Sequence, residues 1–209
     1  MQAALLYNNP MSQHNLLPRS FYARDTLLVA RELLGACLVR VENGIRVAGI
    51  IVETEAYQGE ADQGAHSRAG RTPRTQVMYG SAGHAYIYFT YGMHWLLNFV
   101  TEKEDFPGAV LIRALRPIEG LEIIAARRAG RPEAEWTNGP AKLCQALDID
   151  GRLNGVDVTT PDAGLFVEQG ERIPDSSVTN TPRVGLYHVP EPWKSIPWRF
   201  LVDNQVRKD

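Results

Sequence analysis

A chain of 209 residues, 44% hydrophobic and without a low-complexity tract, is long enough to bury one core as a single domain. Its longest apolar runs are broken by charges well short of the roughly 18 residues of a membrane span, and its N-terminus lacks the basic-then-apolar pattern of an export signal. Only Cys37 and Cys144 are present, in unrelated contexts, so neither a disulfide framework nor a cysteine zinc site is expected, and a net charge of −2 leaves nucleic-acid binding to local basic clusters.

In chain order, the first element is a helix over Asp25–Leu34, with apolar residues at helical spacing, Asp25 as N-cap and Gly35 as the stop. Strands over Cys37–Val41 and Ile45–Tyr57 follow, joined at Glu42-Asn43-Gly44, because Asn-Gly takes the positive φ values of a tight hairpin turn. A Gly- and Pro-punctuated loop then carries Arg68, Arg71 and Arg74 without an acid among them. A second hairpin pairs His84–Thr90 with Met93–Val100 around Tyr91-Gly92, and Ala109–Leu115 forms a further strand. Pro117 opens a helix that ends near Gly130, beside a second basic cluster of Arg127, Arg128 and Arg131. A short helix over Ala141–Leu147 and late strands over Leu165–Glu168, Val184–His188 and Arg199–Val202 complete the series. Strands grouped in hairpins, instead of alternating with helices, predict an α+β fold: a curved, mostly antiparallel sheet flanked by helices.

Two segments carry chemistry. Side chains alternate along a strand, so Glu53, Glu55 and Tyr57 share one face and Ile50, Val52 and Thr54 the other, with the acidic face turned to solvent or a polar cleft. Paired carboxylates serve as a general base with its partner, as metal ligands, or as ordinary polar residues; a hard-cation site needs more oxygen ligands than this segment offers. In the hairpin, Tyr86 and Tyr88 share a strand face, whereas Tyr91 projects from the tip, where it either packs inward or wedges between base pairs. The arginine clusters are either solvated faces or phosphate contacts.

The runs Glu53-Thr-Glu-Ala-Tyr57, Ala65-His-Ser-Arg68, Thr72-Pro-Arg74, Tyr88-Phe-Thr-Tyr-Gly-Met93, Leu111-Ile-Arg-Ala-Leu115 and Gly139-Pro-Ala-Lys-Leu-Cys-Gln-Ala-Leu147 resemble, in order, the alkyladenine (3-methyladenine) DNA glycosylases. The resemblance runs from about Pro18 to about Val202, which divides the chain into an N-terminal extension, residues 1–17, and a glycosylase domain, residues 18–209. It departs from the mammalian pattern in a shorter loop at Arg71–Arg74 and in Ala141 where a serine is expected beside Lys142.

The resemblance implies a monofunctional enzyme of base excision repair. It flips an alkylated or deaminated purine (3-methyladenine, hypoxanthine, ethenoadenine) from damaged double-stranded DNA and hydrolyses its glycosidic bond without metal or cofactor. It further implies a monomer, a cytoplasmic or nucleoid location and a β-hairpin protruding into the minor groove. By position, Glu55 corresponds to the general base and Arg113 to its helper in placing the water. Tyr57, His66 and Tyr88 correspond to the residues enclosing the base, and Asn98 to the one that crowds the exocyclic amine of guanine. Tyr91 corresponds to the intercalating wedge, and Thr72, Arg74, Lys142 and Gly185 to phosphate contacts. Tyr86 is left as ordinary packing. The alternative is a non-catalytic nucleic-acid-binding relative with a fold like the C-terminal domain of formyltransferases.

Overall fold

Strand β2 (Ile45–Gln58) is the longest element of the computed structural model, which describes residues 15–203. Its first half pairs with β1 (Cys37–Glu42) through a two-residue turn in which Asn43 and Gly44 have φ of 51° and 76°, as the Asn-Gly pair predicts. From Glu53 to Glu55 its partner on that side becomes β8 (Arg199–Val202), while β5 (Gly108–Glu119) flanks the other side from Ala48 to Gln58. The change of partner coincides with a bulge, seen as register shifts around Glu53. Glu53 and Glu55 therefore lie in the middle of the sheet, hydrogen-bonded on both edges.

The rest of the fold is laid out around that strand. β3 (Ala85–Thr90) and β4 (His94–Thr101) form the second hairpin, β6 (Leu165–Glu168) extends β1, and β7 (Val178–Thr181) pairs with β8. The order β3-β4-β5-β2-β1-β6, with every pairing antiparallel, gives a single α+β domain on one large open sheet. Helices α1 (Arg19–Tyr22), α2 (Thr26–Glu32), α3 (Leu121–Arg127) and α4 (Pro140–Leu147) accompany it. Asp25 caps α2 by accepting the Leu28 N–H at 3.0 Å. Val29, Ala30 and Leu33 of the α2 region and Leu143, Ala146 and Leu147 of α4 pack with Ile51, Phe99, Val110 and Ile112 of the strands. Each such buried aliphatic or aromatic side chain contributes about 1.5–3 kcal/mol relative to exposure. Thr54 points into this layer and donates to the Ala30 carbonyl at 2.8 Å, opposite in direction to Glu53 and Glu55. Of the N-terminal extension, residues 1–14 lie outside the described residues; Leu16 bridges to Glu168 and Leu17 is buried in the core.

Three expectations are corrected. Glu53 and Glu55 do not themselves meet solvent, since they are 7% and 0% exposed and lie against arginines, and of the face they share it is Tyr57 that borders a cavity. Pro117 does not open a helix: it lies inside β5, two residues before the strand's end, opposite Gly49 and beside a register shift where a residue without an N–H is tolerated. Helix α3 starts at Leu121, after Gly120 turns the chain with φ of 72°. Val184–His188 is not a strand either. Gly185 has φ of 85°, the Val184 N–H is bonded to Glu55, and the strand that pairs with β8 is Val178–Thr181.

A Cβ on Gly120 would lie 2.9 Å from Val47 Cγ2 and 3.0 Å from the Arg46 carbonyl oxygen, in a left-handed conformation that L side chains resist. Gly120→Ala is expected to lower stability by about 1–3 kcal/mol in urea unfolding, with an unchanged m-value.

Candidate active site

Strands β2, β3, β4 and β5 and the loop after β7 converge on a cavity of about 350 Å³. Its wall includes Tyr57, His66, Tyr86, Tyr88, Asn98 and Arg113, and Tyr91, Val184, Gly185 and Leu186 also border it. His66 stands edge-on to Tyr88, with ring centroids 4.4 Å apart and planes at 77°, and Tyr86 lies 5.5 Å from Tyr88. Asn98, 3% exposed, is fixed by donating to the Tyr86 carbonyl at 3.0 Å.

Tyr86 does more than pack. Its hydroxyl meets His66 Nδ1 at 2.9 Å, while His66 Nε2 faces Arg74 Nη2 at 3.5 Å. A guanidinium can only donate, so Nε2 is the accepting nitrogen and the ring proton sits on Nδ1, shared with Tyr86. Burial first, then the charges of Arg74 and Arg68, push the His66 pKa down to about 4, so the ring is neutral near pH 7.

Behind the wall lies Glu55, whose side chain is 0% exposed. It accepts hydrogen bonds from Tyr57 OH at 2.8 Å and the Val184 N–H at 2.7 Å and forms an ion pair with Arg113 Nη1 at 3.3 Å, and all three partners are wall residues. Burial, and then the Glu55 charge, hold the Tyr57 phenol well above its usual pKa, so it stays protonated and donates. Arg113 also donates Nε to Glu53 at 2.8 Å, and Arg199 donates its Nε to the same oxygen at 2.7 Å. Burial raises the Glu53 pKa, but the hydrogen bonds and charges of Arg199 and Arg113 outweigh it and the group ends below the usual carboxylate range. A second, fully buried pair supports the same corner. Arg183 grips both oxygens of Asp62 at 2.5 and 2.8 Å, and its guanidinium lies 4.7 Å from the Tyr57 ring centroid.

A neighbouring cavity of about 440 Å³ shares Gly64, His66, Gly185 and Leu186 with the first and adds Arg68, Thr72 and Arg74. Neither Arg68 nor Arg74 has a carboxylate within ion-pair distance among the described residues. Lys142 borders neither cavity: its ammonium donates to Asn138 at 2.8 Å and pairs with Glu135 at 3.5 Å. Tyr91 sits at the hairpin tip with φ of 51° and is 86% exposed. Among the described residues no group of three or more His, Cys, Asp and Glu is placed to hold a metal ion, and no helix is long and apolar enough to cross a membrane.

The sequence profile of methylpurine-DNA glycosylases matches residues 20–206. The chain belongs to the methylpurine-DNA glycosylase family. Membership places it among the hydrolases of base excision repair. Relatives provisionally named 3-methyladenine DNA glycosylases include one from Carboxydothermus hydrogenoformans, 47% identical over 189 residues that cover 90% of this chain and 96% of the relative. Another, from Methanocella arvoryzae, is 48% identical over 190 residues, covering 90% and 93%. A third, from Clostridium acetobutylicum, is 44% identical over 195 residues, covering 89% and 93%.

In this glycosylase the residues that sequence reasoning passes over are the counter-charges. Asp62 and Arg183 are 121 positions apart, and Glu53 and Arg199 are 146 apart, so no local pattern joins them. The available signal is indirect: an acidic run inside a strand with apolar neighbours requires cations from elsewhere, and Arg183 directly precedes the Val184-Gly185 pair.

The His66 pKa of about 4, against 6.5 unperturbed, sets a sign. Between those values the native state binds fewer protons than the unfolded chain, so stability falls as pH drops through that window. Glu53, depressed below 4.5, gives up its contribution only at lower pH. Chemical denaturation between pH 6.5 and pH 4 is expected to show a shallower loss for His66→Gln than for the parent protein, and equal slopes would contradict the assignment.

Proposed function

We propose that this glycosylase flips an alkylated or deaminated purine, with 3-methyladenine as the leading substrate and hypoxanthine and ethenoadenine as further ones, out of duplex DNA into the cavity of about 350 Å³. There it hydrolyses the glycosidic bond and leaves an abasic site in an uncut strand. The observation that carries the reading is Glu55: a carboxylate with no solvent exposure, held by two hydrogen bonds and an ion pair whose partners all border a cavity walled by aromatic rings. A binding-only module gains nothing from burying that charge, which costs several kcal/mol before its partners offset it.

In this reading the base lies against Tyr57, His66 and Tyr88, and Asn98 crowds the exocyclic amine of guanine. Glu55 is the final acceptor of a proton from water and opposes the positive charge that develops on the sugar. Arg113, at the wall and bonded to both glutamates, orients the carboxylate and the water. An alkylated purine is itself cationic, so it leaves as a neutral base and also interacts favourably with the ring faces. Tyr91, exposed at the hairpin tip, enters from the minor groove and fills the gap that the flipped base leaves in the stack. Thr72, Arg74 and Gly185, around the adjoining cavity, contact phosphates of the flanking strand. Lys142 joins that set only by giving up Glu135. One chain supplies every group, so a monomer suffices.

Two variants test the assignment. Glu55→Gln is expected to lower single-turnover release of 3-methyladenine from alkylated duplex by about 100-fold or more while still binding abasic-site DNA, and release at the parental rate would refute the mechanism. Tyr91→Ala is expected to weaken abasic-site binding by about tenfold in a fluorescence titration, in keeping with a lost stacking contact of about 1–3 kcal/mol. Unchanged affinity would remove Tyr91 from the interface.

A further inference from the structure

We propose that Tyr187 is a second aromatic contact to the DNA: its ring packs on the sugar of the nucleotide next to the flipped one, and its hydroxyl donates to an adjoining phosphate of the same strand. This rests on the reading of the cavity of about 350 Å³ as the site of a flipped base.

Among the described residues the three most exposed large hydrophobic side chains are Tyr91 at 86%, Tyr187 at 72% and Met93 at 68%. Two of them belong to the hairpin tip, and Tyr187 stands on the loop between β7 and β8. A single apolar side chain on a surface needs no explanation, but this one is displayed by a turn that the fold holds in place. At the start of the loop Arg183 is locked to Asp62 and donates to the Trp193 carbonyl at 3.3 Å, which ties the two sides of the loop together, and the Val184 N–H is bound to Glu55. Leu186 turns inward onto Gly64, where a Cβ would lie 2.7 Å from Leu186 Cδ1. The Val189 N–H then closes a turn onto the Leu186 carbonyl at 3.1 Å. Tyr187 is the first of the two residues at the corner of that turn, and among the described residues its hydroxyl has no hydrogen-bond partner.

The position of the turn selects the partner. Leu186 borders both the base cavity and the neighbouring one of about 440 Å³, and Val189 borders the second. Tyr187 therefore rises from the ridge between a cavity that takes a base and one that carries Arg68, Thr72 and Arg74. A strand that delivers its base to the first and its phosphates to the arginines of the second crosses that ridge. What it presents there is a sugar, whose C–H groups suit a flat ring, with a phosphate on either side to accept from the phenol. Tyr91 also borders the base cavity, so the hairpin tip and the Leu186 turn both belong to its rim. The two tyrosines then differ in what they touch: Tyr91 fills the stack inside the duplex, and Tyr187 holds the lesion strand outside it.

The test is a fluorescence titration with a duplex carrying one abasic-site analogue. Tyr187→Ala is expected to weaken binding about tenfold, and Tyr187→Phe, which keeps the ring, about threefold. The urea midpoint of both variants is expected to match the parent, because the side chain is exposed. Affinity of Tyr187→Ala within about twofold of the parent overturns the contact, and parental affinity of Tyr187→Phe overturns the phosphate bond. A fall in affinity accompanied by a fall in the urea midpoint makes Tyr187 a support of its own loop and overturns the proposal too. With p-benzoylphenylalanine at position 187, irradiation of the complex is expected to cross-link the strand that carries the abasic site; cross-links confined to the complementary strand, or none, contradict the assignment. A parent protein that binds the abasic duplex no better than an undamaged one would sink the underlying reading. A parent that discriminates, beside a Tyr187→Ala variant that binds equally well, would sink the Tyr187 contact alone.

Discussion

Two carboxylates buried in the middle of a sheet must be neutralised, and the architecture around β2 is arranged to do so. Removing an ion from water costs several kcal/mol even after relaxation, and leaving one partner of a buried pair alone costs about 3–5 kcal/mol. Glu53 and Glu55 are therefore tolerated only because β5 brings Arg113 to one side and β8 brings Arg199 to the other. At Glu53 the strand exchanges β1 for β8, and β8 carries that second arginine. The loop after β7 adds the Val184 N–H, and the neighbouring Arg183 anchors it through Asp62 in a pair with no exposed surface. Fold stability and the orientation of the proposed base are in this corner one problem with one solution.

The same arrangement separates rigid from exposed parts. Tyr57, Tyr86 and Asn98 are fixed by hydrogen bonds to Glu55, His66 and the Tyr86 carbonyl, so the cavity is shaped before any ligand enters. The hairpin tip is the opposite case. Tyr91 and Met93 are 86% and 68% exposed at a turn whose φ values at Tyr91 and Gly92 are 51° and 66°. A preformed cavity beside a projecting aromatic suits the removal of a base from a stack, in which space must be filled at one point as it is opened at another. Arg68 and Arg74, without carboxylate partners among the described residues, supply local positive charge at the cavity rim on a chain whose formal net charge is −2.

Much of the fold was legible in the chain, for local reasons. Asp25 before a helical apolar pattern, Asn43-Gly44 between two strand-forming runs and Tyr91-Gly92 between two others each dictate φ values through the residue itself, and the elements appear where those signals stand. Pro117 misleads because proline suits the first turn of a helix and also a strand position next to a bulge; only the pairing partner Gly49 decides between them. Val184–His188 misleads because its apolar residues read as a strand, whereas its backbone hydrogen bond is spent on a side chain from β2.

For the site, sequence alone pointed to a set of residues that the fold gathers in or just behind one cavity: the Glu53-Thr-Glu-Ala-Tyr57 run, the hairpin tyrosines, His66, Asn98 and Arg113. Tertiary structure decided how they act on one another. It enclosed both glutamates, drew Tyr86 into the cavity wall through His66, placed Lys142 against Asn138 and Glu135, and recruited Asp62, Arg183 and Arg199 as counter-charges. The division follows from range. Propensities, caps and turns act over a few residues and are written locally, whereas burial and charge compensation depend on which distant segments pack together, and a carboxylate's role as base, ion-pair partner or surface group is set by that packing.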